Sequence, residues 1–320
     1  RRALRLLPGR EVDAMLEHIR DIVLPSHAGS GGFDHAAVHR RTGRVWVAHT
    51  ANDALDVIDG AGGRFVESIG GLPAVAGALV SDEHELVFTS NRGENTVGLF
   101  EAAGTPKVVK VGVGVRPNGL AYDPTHRRLL AANVGDPAVP GSHTVSIVDV
   151  ASRSLTAAVP VPGRTRWTVY DPAAAVFHVN VMDPAVIVVV DGARATVTRV
   201  AEIPAVGPHG LDLDVAARRL FCACDGAELV ELDADTGKVV RSAPLAGVPD
   251  VIFFNAAPAR LYVAIGDPGV IEVFDTRTLR KVETVVTEKG AHTLAFDADR
   301  QLVYAFLPAT HRAAVYAERG

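Results

Sequence analysis

The sequence is poor in cysteine, with two residues in 320. That excludes a disulfide-built scaffold and a Cys-rich zinc fold. No apolar run approaches the ~18–20 residues a membrane span requires. Neither charge is in large excess: 32 Lys and Arg stand against 37 Asp and Glu, a formal net charge of −5. Such a chain has no general electrostatic pull on nucleic acid or anionic membranes. The sequence also lacks a Gly-x-Ser-x-Gly elbow, a P-loop, a His-Glu-x-x-His helix and a dinucleotide fingerprint, so those chemistries have no visible carrier. It begins Arg1-Arg2-Ala3-Leu4 without Met, and Leu4–Leu7 is too brief for a signal-peptide core. The reading is either a mature exported chain or a trimmed cytoplasmic one.

What is plentiful is Gly (30 residues), Pro (19) and Val, while aromatics make up only 6%. Short strands joined by frequent turns use residues this way. A search for repeats finds an apolar alternation ending in an acidic residue. It reads Ala54–Asp59, Thr96–Glu101, Thr144–Asp149, Val186–Asp191, Leu229–Asp233 and Val270–Asp275, with a degenerate copy at Ala313–Ala317. Successive copies end 42 residues apart, except for one step of 48 that contains the insertion Val134–Ser142. The recurring acids Asp59, Asp149, Asp191 and Asp275 read as turn-formers.

One period around residues 209–243 holds four β-rich runs: His209–Asp214, Arg219–Cys224, Leu229–Asp233 and Lys238–Ala243. Four strands in about 42 residues form a β-propeller blade, and seven copies imply seven blades. The fold class is therefore all-β. The last copy lacks a fourth strand, and Ile19–Pro25 resembles one. The N-terminal strand is expected to pair with the C-terminal blade and close the ring, which removes an open sheet edge. The organisation is an N-terminal extension, 1–18, followed by a single propeller domain, 19–320. A short helix is expected at Glu11–His18.

Units such as Arg116-Pro-Asn-Gly-Leu-Ala-Tyr-Asp123, Leu129–Asn133 and Thr144–Asp149 resemble the repeats of YVTN (YncE-like) seven-bladed propellers. A wider kinship is with the NHL-repeat, gluconolactonase-like and streptogramin-lyase propellers. The resemblance spans nearly the whole chain. It implies a bacterial, exported protein more than a cytoplasmic one, and it names no activity.

In such a blade, the residues leading into the first strand and the turn between strands two and three share one end of the channel. The first set is His35, Gly77, Asn118, Trp167, His209, Asp250 and His292. Imidazole serves as a transition-metal ligand or as an acid–base group. His35, His209 and His292 are thus candidate ligands for a divalent transition metal (Zn, Fe, Mn or Cu), or candidate bases, with Asp250 as ligand or orienter. Gluconolactonase-like enzymes hold their cation with carboxylate and amide oxygens, and this His-rich set departs from that pattern. The second set contains Asn91, Asn133, Asn180 and Cys224. The three Asn read equally well as ligand contacts or turn residues. Arg92, Arg166, His27, His143 and His311 lie nearby as candidate ligand-binding residues, with Asp225 beside them. Trp167 reads as a stacking platform or a channel plug. Cys222 and Cys224, two apart on one strand, read as buried packing.

The expected partner is a small polar molecule acted on by lyase or hydrolase chemistry at the channel mouth. The alternative is a non-catalytic binding propeller with a ligand or protein partner. Nucleic acid is disfavoured by the charge.

Overall fold

The computed structural model describes residues 15–319. It contains 28 strands in seven four-stranded antiparallel sheets, and one short 3-10 turn at Thr50–Asn52 is the sole helical element among the described residues. Blade 5 shows the unit: Pro208–Asp214, Arg219–Cys224, Glu228–Asp233 and Val239–Pro244. Each strand lies within a residue or so of its repeat-derived position.

The ring closes as the sequence implies. Leu16–Val23 pairs antiparallel with Arg312–Glu318, so the last blade runs outward as Thr293–Asp297, Leu302–Leu307, Arg312–Glu318 and Leu16–Val23. This strand starts at Leu16, which corrects two expectations. The propeller begins before residue 19, and residues 16–18 are strand rather than the end of a helix. The rest of the expected helix and extension, residues 1–14, lies outside the described residues.

Burial follows from blade stacking. The third strands are covered on both faces by neighbouring blades, most fully in blade 4, where Val186–Asp191 is apolar and buried from Val186 to Val190. The fourth strands form the rim and alternate; in Arg64–Ile69 no residue is fully buried. Each core layer joins two blades. Phe221 and Leu229 of blade 5 pack with Ile252, Leu261 and Val263 of blade 6. At the seam, Ile22 and Leu24 join Val45 and Val47 of blade 1 and Tyr304 and Phe306 of blade 7. The turn acids behave as expected. Asp59, Asp149, Asp191 and Asp275 each accept a backbone N–H two or three residues on, at 2.6–2.9 Å. These are local Asx turns.

One irregularity positions the site. In five blades the first strand opens with a β-bulge against the second strand: at 75–77, 117–120, 165–168, 208–210 and 249–252. A bulge bends the strand and re-aims the extra side chain. Asn118, Trp167, His209 and Asp250 all sit inside these bulges. Small residues permit the resulting crowding. A Cβ on Gly210 would lie 2.2 Å from the Asp250 carbonyl oxygen, and one on Gly119 2.5 Å from the Arg166 carbonyl oxygen.

Candidate active site at the channel mouth

Three of the four residues ranked first from the sequence meet in one hydrogen-bonded chain. His209 Nδ1 donates to Asp225 Oδ1 at 2.7 Å, and its Nε2 lies 3.1 Å from Asp250 Oδ1. The other oxygen of Asp250 accepts from His292 Nδ1 at 2.7 Å. The order is Asp225–His209–Asp250–His292, alternating carboxylate and imidazole across blades 5, 6 and 7. His209 and Asp250 are about 15% exposed and His292 about a third exposed, so the chain runs outward from the buried interior.

This burial decides the charges. Desolvation lowers His209, but the Asp250 and Asp225 carboxylates outweigh it and raise the imidazole to about 9. Desolvation likewise opposes, and Asp250 overcomes, for His292, which is raised above its ordinary value. Burial would push Asp250 up; the two imidazoles reverse this and hold it well below the usual carboxylate range. At neutral pH His209 is a fixed cation between two carboxylates. His292 keeps Nε2 without a protein partner among the described residues, oriented by the Asp250 bond at Nδ1.

His35 belongs to a second group. Its ring packs on Trp167 with centroids 4.0 Å apart, and its Nε2 is 3.3 Å from Asp34 Oδ1. Burial outweighs Asp34 and Asp250 and lowers this imidazole, so it is neutral. Arg92 pairs with Asp34 and donates to Asn118 Oδ1 at 2.8 Å. Arg166 joins the first group: Nη1 lies 3.3 Å from His209 Nε2 and Nη2 3.6 Å from Asp225 Oδ2. His35 and Trp167 together close the channel beneath the mouth.

Sequence reasoning missed two arginines. Arg164 is lowered, first by desolvation and then by the neighbouring Arg166, Arg116 and Arg92. Four guanidiniums therefore share this side of the mouth. Among the described residues, Arg116 and Arg164 form no ion pair, and the buried Nε atoms of Arg92 and Arg166 have no hydrogen-bond partner. The signal for Arg116 and Arg164 was their position, each two residues ahead of an already chosen side chain. Asp34 was likewise visible only as the neighbour of His35.

Other candidates lie elsewhere. Asn91, Asn133 and Asn180 are fully buried. Asn91 donates to Thr96 Oγ1, Asn133 to Thr144 and Ser146, and Asn180 to the carbonyls of His209 and Gly210, at 2.9–3.2 Å. Their amide nitrogens hold turns and the blade 5 bulge, while the buried Oδ1 atoms of Asn91 and Asn133 have no hydrogen-bond partner among the described residues. His143 lies 3.0 Å from the Val134 carbonyl and ties down the insertion loop. His27 and His311 form a separate cluster near the ring seam. His27 Nδ1 is 2.8 Å from His49 Nε2, and its ring lies 4.4 Å from that of His311. Cys222 and Cys224 are buried free thiols with sulfurs 3.7 Å apart.

The residues do not fit the expected metal. Both nitrogens of His209 face carboxylates, His35 is stacked on Trp167, and among the described residues no group of three or more His, Cys, Asp or Glu side chains is arranged to hold a cation. The arrangement instead provides an oriented imidazole, a fixed imidazolium and a field of guanidiniums.

No family model matches the sequence, and no curated protein does. The fold defines the class: a seven-bladed β-propeller. Among solved structures, hydrazine synthase of Kuenenia stuttgartiensis superposes with a TM-score of 0.78, covering 91% of this chain and 97% of that one at 12% identity. At that identity the likeness shows the fold alone.

Proposed function

We propose that the channel mouth is an acid–base site for a small anionic molecule, and that elimination, a lyase reaction, is its chemistry. The observation that carries this is the Asp225–His209–Asp250–His292 chain facing guanidiniums of three blades. Arg116 and Arg164 bring positive charge with no carboxylate in ion-pair contact among the described residues, which favours a carboxylate or phosphate on the substrate. A substrate carboxylate held there acidifies its adjacent C–H. His292 Nε2 takes that proton, the C–H electron pair forms the new double bond, and the β-substituent leaves with its bonding electrons. Asp250 fixes the His292 tautomer and stabilises the imidazolium that forms. His209 supplies constant positive charge. The neighbouring-charge field suits this step better than hydrolysis, since the guanidiniums stabilise the carbanion-like intermediate. No metal takes part in this reading.

The YVTN-like repeat pattern and the His35–Trp167 closure support a second reading, a binding propeller that presents the same mouth to an anionic partner without turnover. One experiment separates them. A panel of small carboxylates is incubated in deuterated water and exchange of the proton next to the carboxylate is followed by NMR. Catalysed exchange that falls at least a hundredfold in H292Q supports the enzyme. Carboxylate binding without exchange supports the binder.

A further inference from the structure

The channel has a second opening at the end opposite the histidines, leading into a cavity of about 460 Å³ that stops at His35 and Trp167. Its wall is largely apolar: aliphatic residues such as Val38, Val80 and Ile252 alternate with the aromatic Trp167, Tyr170, Tyr122, Phe253 and Phe296. Asp212, from the first strand of blade 5, lies on this wall. Its Oδ1 accepts the Leu213 N–H at 2.8 Å and its Oδ2 the Phe254 N–H at 2.6 Å. Among the described residues no Lys, Arg or His forms an ion pair with it. Burial, partly opposed by those two N–H groups, pushes the carboxyl up to about 6. At neutral pH the cavity therefore holds a carboxylate without a counter-charge. Asp82 and Glu83 stand at the opening, and the one arginine there, Arg40, is engaged by Asp299.

An unpaired carboxylate in an apolar cavity with aromatic residues in its wall is poor surroundings for an anion and for a hard metal ion, which needs several oxygen ligands close together. It suits a soft, bulky cation. Ring faces attract ammonium groups, the more so when both are desolvated. The apolar wall accepts the cation's substituents, and the volume matches a small-molecule pocket. We propose that this cavity binds a small organic ammonium ion, with its nitrogen toward Asp212 and its alkyl groups on the apolar wall. This site is independent of the reaction at the mouth.

The test uses a matched pair of probes: choline and 3,3-dimethyl-1-butanol, which has the same shape with carbon in place of the charged nitrogen. Binding to the wild-type protein is measured by calorimetry and by saturation-transfer NMR, with tetramethylammonium and benzyltrimethylammonium as further cations. The expected result is at least tenfold tighter binding of choline than of the alcohol. D212N is expected to bring the two within twofold while leaving proton exchange at the mouth unchanged. Y170L is expected to weaken choline severalfold by removing a ring face. Equal binding of choline and the alcohol by the wild-type protein overturns the proposal, as does failure of all three cations to bind at tens of millimolar. Both of those readings need no variant, so they stand even where D212N does not fold.

Discussion

His209 ties the chemistry of the mouth to the stability of the fold. Its folded value of about 9 lies above the ordinary 6.5, so the folded protein holds this proton more tightly than the unfolded chain. The stabilisation is complete below about pH 6.5 and is lost as the pH rises towards 9. Its size is on the order of 3 kcal/mol, shared with the coupled Asp250. Urea melts of the wild type are expected to lose stability across that window, and H209Q to lose much less. Gly210 matters for a steric reason. In G210A the added carbon would meet the Asp250 carbonyl at 2.2 Å, and the two bulges must part. The expected cost is about 1–3 kcal/mol, read as a lower urea midpoint, together with weakened proton exchange as Asp250 moves away from His292.

At the scale of elements, the seam is the point of greatest leverage. The strand Leu16–Val23 covers the edge of Arg312–Glu318 and inserts Ile22 into the core shared by the first and last blades. I22A is expected to destabilise by about 2–4 kcal/mol, measured by denaturant titration; a change within error would show that closure does not rest on this contact. The strands themselves could be read from the sequence, because each blade repeats the same apolar alternation and turn acid every 42 residues. The bulges could not. They shift register by one residue in five blades without a distinctive local composition, and they decide which side chains turn inward. That is why His209, Asp250 and His292 could be singled out by their repeat position, whereas Arg116 and Arg164, just ahead of the bulges, were passed over. The repeated Asn91, Asn133 and Asn180 carried the opposite ambiguity. A periodic polar residue serves the blade as readily as a ligand, and here it serves the blade. Asp212 was hidden because Leu211-Asp212-Leu213 reads as an ordinary strand alternation, with nothing to say that its polar face looks into the channel.

For the whole molecule, the ring brings together residues that the sequence keeps far apart. Asp34, Asn118, Arg166, Asp250 and His292 come from five blades yet share one mouth, so the site exists only in the closed propeller. The two ends of the axis differ in charge and character. One carries guanidiniums and the His209 imidazolium, the other carboxylates and a largely apolar cavity, and the His35–Trp167 stack lies between them. The central claim is that the Asp250–His292 dyad moves a proton at the first of these ends. It is tested most directly by the pH profile of solvent proton exchange into a bound small carboxylate, wild type against H292Q. The account predicts a bell: a rise as His292 loses its proton above pH 6.5, a fall near pH 9 as His209 loses its own, and no bell in H292Q. Exchange that is undetectable in the wild type, or that persists with the same profile in H292Q, would contradict it.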